Sequence, residues 1–420
     1  MTLGLAYHDI NCNRTGQMSG RMSGVTYQVR PLGPEDQQLA WDLGSLAFGY
    51  HEQPMPQGWT SDSPGRRTLG VFDPAGRMVA KAVDREQGQW FGGLVVPTSG
   101  VAGVAAAAEL RGRGLGRLVL TRLLQGARER GAVISTLFDT TPIPYRALGW
   151  EEVGALVYYT VPTRVLAEIR RDAKTTLRPA TTADIPAVYE IYGEVARAGT
   201  GMMERSGPTF GATPTQLLAG YHGFTVAVDD TGTIVGYASW DRGPGYDTIG
   251  KLTVDDLIGL TPEATRTLLA MLGGWASVAP TTLIRLGTTD PVWSLLARSD
   301  AKPESTQPWM LRVIDAPGAV AARGWPRHLT GEVDLELTDD VCPWHQGRHR
   351  LVLSGGNGRL EPGGAGTVRL TPRGLASWYA GAATPQQLRR SGFLTGGDAD
   401  TDELLRTATA GPAPTLHDYF

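Results

Sequence analysis

Arg30-Pro31 and Arg178-Pro179 open two stretches of this chain that pass through the same succession of local signals. In the first, a short strand pattern at Tyr27-Gln28-Val29-Arg30 meets Gly33-Pro34-Glu35-Asp36, a helix-start signal. Leu39, Ala40, Leu43, Leu46 and Ala47 then recur at helical spacing. Residues 68–72 and 78–83 flank Asp73-Pro74-Ala75-Gly76 and read as a β-hairpin. In the second stretch, a strand pattern at 176–180 leads through Thr181 to Asp184 into a helix carrying Val188, Ile191 and Val195. A hairpin about Asp229-Asp230-Thr231-Gly232 follows at a similar distance. Two copies of one strand–helix–hairpin unit constrain the fold more tightly than any compositional figure.

The copies part company at the next junction. In the first, Arg111-Gly112-Arg113-Gly114-Leu115-Gly116 lies between an apolar run at 103–108 and an amphipathic helix that ends at Gly131. Glycines there let the backbone turn sharply and aim several N–H groups one way. The helix start adds partial positive charge and the arginines add full charges, which suits a diphosphate. The same place in the second copy, Gly259-Leu260-Thr261-Pro262, follows Asp255 and Asp256, precedes Glu263 and meets no arginine before Arg266. Carboxylates so placed repel a diphosphate. The first copy is therefore expected to bind the cofactor, and the second to be structural or substrate-facing.

A chain of 420 residues exceeds one ordinary core, so two or three domains are expected. A net charge of -3 argues against a general nucleic-acid or anionic-membrane binder. Two cysteines, Cys12 and Cys342, make no disulfide framework. No run of about 18 apolar residues and no secretory signal is apparent, so the expectation is a cytoplasmic protein with no membrane partner. Residues 1–23 read as a loose extension, with Met22 as an alternative start, and residues 89–96 as a further strand. Within the latter, Trp90-Phe91 reads as sheet core. From about Leu311 the texture changes. A helical stretch to Arg323, strands at 331–337, 347–353 and 368–371, and helices at 373–379, 384–391 and 398–408 predict a small third α+β unit. Cys342, His345 and His349 have ligand-like spacing but no evident fourth ligand, so no metal site is expected.

Beyond the first copy's helix, a strand pattern at 133–138 leads through Thr140-Thr141-Pro142 to Tyr145-Arg146-Ala147-Leu148-Gly149-Trp150. The Arg111-x-x-Gly114-x-Gly116 turn followed by Tyr145-x-x-Leu148-Gly149-Trp150 resembles the core of the GNAT acetyltransferases. The wider arrangement, over residues 25–420, resembles the Eis (enhanced intracellular survival) family. That resemblance implies an α/β (α+β) chain of tandem GNAT folds followed by a sterol-carrier-protein-like domain. The corresponding bounds are a flexible extension at 1–23, a catalytic GNAT domain at 24–165, a degenerate GNAT-like domain at 166–310 and the sterol-carrier-like domain at 311–420. Acetyl-CoA contacts are implied at Ala106, Ala107, Ala108, Arg111, Gly114, Leu115, Gly116, Arg117, Leu118, Val119, Thr140 and Thr141. Tyr145 is implied as general acid and the terminal carboxylate of Phe420 as base. The implied acceptors are primary amines of small cationic molecules such as aminoglycosides, and the implied assembly is a homo-hexamer. Ala108 and Gly116 depart from residues often found in that family, and both leave the turn intact.

Direct attack of an amine on a thioester needs a neutral amine, a stabilised oxyanion and a proton for the departing thiolate. A phenol of pKa about 10 can supply that proton. The strand amides near residues 106–108 are expected to hold the pantetheine arm and polarise the carbonyl. A terminal carboxyl of pKa about 3.3–3.7 is a weak base, so it acts desolvated, through water, or by orienting an amine already neutral. Asp42, Glu52 and Asp62 are candidates to attract a polycationic acceptor. Rival readings are a protein lysine or N-terminal acetyltransferase, an aminoacyltransferase using charged tRNA, and a non-enzymatic lipid-binding protein.

Overall fold

The computed structural model describes residues 10–12, 18–22, 25–50 and 52–420. The first stretch forms β1 (Ile10–Cys12), β2 (Met18–Met22), β3 (Val25–Pro31), α1 (Gln37–Phe48), β4 (Arg66–Phe72), β5 (Met78–Phe91) and β6 (Leu94–Ala106). It continues with α2 (Leu115–Glu129), β7 (Ile134–Phe138), α3 (Ile143–Arg146) and β8 (Glu151–Pro162). The second forms α4 (Thr163–Ala167), β9 (Thr176–Pro179), α5 (Ile185–Ala198), α6 (Pro214–Ala219), β10 (Gly223–Val228) and β11 (Ile234–Arg242). β12 (Lys251–Gly259), α7 (Pro262–Gly273), β13 (Thr281–Arg285) and β14 (Lys302–Val313) complete it. The third comprises α8 (Ala316–Ala322), β15 (Gly331–Leu337), β16 (Gly347–Ser354), β17 (Asn357–Pro362) and β18 (Val368–Leu370). Then come α9 (Pro372–Ala380), α10 (Pro385–Arg390), β19 (Leu394–Gly396) and α11 (Ala399–Ala408).

The repeat is visible in atomic detail. Arg30 forks onto the carboxylate of Asp36 just ahead of α1, and Arg178 forks onto Asp184 just ahead of α5. Each aspartate also accepts the backbone N–H three residues earlier, so one carboxylate fixes both the helix start and the preceding strand end. α2 buries Leu115, Leu118, Val119, Leu120, Leu123, Leu124 and Ala127 on the sheet, each worth roughly 1.5–3 kcal/mol for the larger side chains.

One sheet of 14 strands runs through both copies in the order β1-β2-β3-β4-β5-β6-β7-β14-β8-β13-β12-β11-β10-β9. Its centre is an exchange. β14, from the second copy, pairs antiparallel with β7 of the first, and β8, from the first, pairs antiparallel with β13 of the second. β8 and β14 also pair with each other. Each copy is thus closed by the other's last strand. Trp309, Met310 and Leu311 are fully buried there, and β14 runs on to Val313, two residues past the point where the third unit was expected to begin. On one face Leu311 and Val313 pack with the third unit's core, and on the other Met310 packs with the first copy's.

Two further expectations change. Residues 89–96 are not one strand: Gly92 and Gly93, at φ +60° and +82°, make a tight turn between β5 and β6. Phe91 is fully buried, and Trp90 bonds through its backbone to Met202 and Gly201 of the second copy. Within the stretch 1–23, expected to be loose, β1 pairs with β2 and β2 with β3; its other residues lie outside the described ones.

The third unit is a five-stranded sheet, β17-β16-β15-β18-β19, under α8 and α9. Val333, Leu335 and Leu337 alternate inward with Leu351 and Leu353 opposite, the period of a half-buried strand. Nη2 of buried Arg312 of β14 donates to both oxygens of Asp339, at 2.8 Å each, and ties this unit to the large sheet. His345 Nε2 shares Asp339 at 3.0 Å while its Nδ1 accepts the N–H of Ala316, and His349 Nε2 reaches the His345 carbonyl. These histidines are engaged in fastening the loop 339–345. Among the described residues no helix is long and apolar enough to cross a membrane.

Candidate active site

The sheet opens between β6 and β7. These strands pair in parallel only from Thr98–Ile134 to Val101–Leu137. Beyond Val101, β6 keeps its partner β5 alone, as far as Ala106 opposite Ala80. The register with β5 skips at Gly103 and Val104, a bulge in which Gly103 takes φ +55°. A bulge beside a diverging strand turns backbone groups out of the ladder and into the gap. The glycine inside an apolar strand run was the available signal for it.

The Arg111–Gly116 turn stands at the mouth of this opening. Gly112 and Gly114 adopt φ +77° and +80°, a left-handed conformation that other residues resist, and Gly114 caps α2. Gly116, in the first helical turn, has open space where a Cβ would stand. Arg111 and Arg113 are exposed at the same end. First-turn amides of a helix lack intrahelical acceptors, so free donors, the helix dipole and two exposed arginines gather at one helix end. That arrangement fits the diphosphate of acetyl-CoA.

The other implied contact residues divide. Ala107 donates its N–H to Val79 at 2.9 Å, so that amide serves the sheet rather than a pantetheine arm. The Leu115, Leu118 and Val119 side chains are buried in the core, and the Leu118 N–H is taken by Gly114. These positions hold the helix in place; the donors left for a ligand lie at the start of α2. Ala108 begins a short turn ahead of Arg111. Arg117 bonds to the Ala147 carbonyl at 3.3 Å and so fastens α2 to α3. Thr140 and Thr141 lie exposed between β7 and α3.

Tyr145, on α3, packs on the α2 core and meets Trp150 edge-on at 6.2 Å. Burial, assisted by the negative charge of Asp139, pushes its pKa up to about 12. A phenol so held stays protonated at any physiological pH. Asp139 follows β7 directly and escaped the sequence reading, since a lone aspartate after a strand carries no pattern. Its Oδ1 is buried without a hydrogen-bond partner among the described residues, and burial raises its proton affinity. On β7's last residue, Phe138, the rings of Tyr419 and Phe420 pack at 4.7 and 5.3 Å. The far end of the chain therefore reaches the end of the strand that flanks the opening. Asp42, Glu52 and Asp62 are exposed; Asp42 bonds Gln38, and Asp62 accepts the Thr68 N–H.

Two acetyltransferase (GNAT) domain models match residues 28–153 and 201–313, and a sterol carrier protein domain model matches 316–417. A GCN5-related N-acetyltransferase from Kribbella flavida is 30% identical, with a TM-score of 0.81 over 94% of this chain and 99% of that one. The chain belongs to the GCN5-related N-acetyltransferases. It is an acetyl-CoA-dependent enzyme built as tandem GNAT domains with a sterol-carrier-like third domain. An uncharacterized N-acetyltransferase of Streptomyces coelicolor is 26% identical over 88% of this chain and 93% of its own length. Eis1 from Mycobacterium abscessus shares the fold, at 20% identity and a TM-score of 0.73 over 94% of this chain and all of that one. Within a GCN5-related enzyme, only the first copy here carries the Arg/Gly turn.

Proposed function

We propose that this enzyme is Eis-like and transfers acetyl from acetyl-CoA to a primary amine of a small cationic acceptor of the aminoglycoside kind. The amine nitrogen attacks the thioester carbonyl carbon, and the C–S bond breaks as the tetrahedral intermediate collapses. Tyr145 gives its proton to the departing thiolate, and the carboxylate of Phe420 takes the proton lost by nitrogen. The observation that carries the reading is the convergence at β7, with Tyr145 beside Asp139 and the terminal rings on Phe138.

A cavity of about 280 Å³ beside Tyr419 supports a cationic acceptor. Its walls include Tyr189, Phe210, Tyr221 and Phe224, with three carboxylates (Asp255, Asp256, Asp418) against two guanidinium groups (Arg205, Arg285). Aromatic faces and one surplus negative charge suit an ammonium. Asp139 is a second candidate base, favoured by an oxygen without a partner among the described residues and by raised proton affinity. The exposed apolar residues Leu39, Leu46 and Phe48 of α1 supply a surface for the proposed hexamer.

The deciding experiment is CoA release measured with aminoglycosides, spermidine and lysine peptides in parallel. Turnover with aminoglycosides well above that with peptides is expected. Turnover confined to peptides would replace the reading with a protein acetyltransferase.

A further inference from the structure

The second copy repeats the opening of the first. β12 and β13 pair in parallel over four residues, from Lys251–Thr281 to Val254–Ile284, and then diverge. As in β6, the register with the neighbouring strand skips just beyond the last parallel pair, here at Asp255. The opening in the second copy is filled by the chain's own C-terminal segment. Thr415 bridges in parallel to Ala155 of β8, alongside the point where β13 has ended, and donates its N–H to Thr200. Arg285, the last residue of β13, donates to the His417 carbonyl. His417 is buried, with Nδ1 3.7 Å from Asp256 of β12. A cavity of about 210 Å³ between β12, the start of α7 and Thr415 is what remains of the gap.

Arg205 joins Arg285 in fastening this segment. The guanidinium of Arg205 is only 14% exposed and bonds both Asp256 of β12 and Asp418 of the segment. It lies 3.7 Å from the centre of the Tyr192 ring, whose hydroxyl is 3.1 Å from Asp418. The next two residues are Tyr419 and Phe420, on Phe138.

We propose that the second copy has taken the C-terminal segment into its sheet opening in place of a cofactor, and that Arg205 is the positioning residue that aims Tyr419 and Phe420 at the catalytic centre of the first. This rests on the reading that the Phe420 carboxylate takes part in the reaction. The duplicated domain then has a defined duty without chemistry of its own. It converts the gap left by a lost cofactor into a socket for the end of the chain.

The test compares Arg205→Gln, Arg205→Lys and Asp418→Asn in the full-length protein by two readouts. The first is the rate at which carboxypeptidase Y trims the terminus, followed by mass spectrometry. Opening of the socket is expected to speed trimming about tenfold in Arg205→Gln and Asp418→Asn. The second is steady-state kinetics, where kcat is expected to fall about a hundredfold, as for a misplaced catalytic group. KM for acetyl-CoA stays within about twofold, and Arg205→Lys recovers part of both losses. Should Arg205→Gln fail to fold, Asp418→Asn carries the test. Unchanged trimming in the folded variants overturns the socket. Faster trimming with unchanged kcat overturns the aiming role together with the reading of Phe420.

Discussion

The Phe420 ring rests on Phe138 at a centroid distance of 5.3 Å, bringing the last residue of the chain to the end of the strand beside the cofactor opening. Residues appended after Phe420 carry its carboxylate off and place an amide in its stead. Such an extension is expected to lower kcat about a hundredfold while CoA affinity and melting temperature stay near wild type. Calorimetric titration with CoA, beside the turnover assay, separates these quantities. An extended enzyme of full activity would leave Asp139 as the base.

Tyr145→Phe keeps the ring packed on Trp150 and removes only the proton. A loss of about 10²-fold or more in kcat with little change in KM for acetyl-CoA is expected. Because burial first, and Asp139 second, raise the Tyr145 pKa to about 12, no alkaline limb from this group appears below pH 11 in the wild type. Asp139→Asn removes the nearby negative charge, makes the tyrosinate less unfavourable, and should move that limb to lower pH. A limb that stays put would place Asp139 away from the phenol's field.

At the turn, Gly116→Val puts two methyl groups where nothing stands within 4 Å of a Cβ. The fold should tolerate it, while CoA affinity falls about tenfold or more by loss of the clear space. Charge reversal at Arg111 and Arg113 should weaken CoA by a similar factor and lessen the dependence of affinity on salt. Titration at two ionic strengths reads both effects.

Where local chemistry set the structure, the residues announced it. Arg30-Pro31 with Asp36, and Arg178-Pro179 with Asp184, are short-range units, and their likeness revealed the duplication. The turn at Arg111–Gly116 was legible because two left-handed glycines and a helix start need particular residue types. The exchange of β8 and β14 was not, since pairing between Trp309 and Phe138 joins residues about two-fifths of the chain apart and leaves no mark on either strand. Asp139 was missed because its character comes from burial. The Ala107 amide was over-read because its partner, Val79, lies on the far side of a hairpin.

Lys81 offers a test of stability. Its ammonium is buried, donates to the Ala40 carbonyl at 2.6 Å, and has its pKa lowered to about 8, chiefly by burial and then by Arg66. Below pH 8 the native state holds this charge at full cost. As pH rises from about 8 to about 10.5 the native lysine loses its proton before the unfolded one, so stability should rise relative to Lys81→Met. The gain is on the order of 3 kcal/mol. Urea midpoints at pH 7 and pH 10 for both proteins check the sign. A constant difference would mean that Lys81 titrates normally.

Asp339 serves Arg312, His345 and the amides of Val341 and Cys342. Asp339→Asn leaves the fully buried Arg312 charge uncompensated, and a loss of about 3–5 kcal/mol is expected by urea denaturation. A near-neutral result would mean that water reaches the guanidinium.

The strand exchange also sets a timetable for the growing polypeptide. β7 ends at Phe138, but the strand that covers its open edge ends at Val313, so the first copy cannot close its sheet until most of the chain has been synthesised. Until then it presents an unpaired edge to any other chain. A shortened gene product ending after the first copy would inherit that exposed edge permanently. The two halves are therefore obliged to mature together, and a fragment of either is expected to aggregate before it can be assayed.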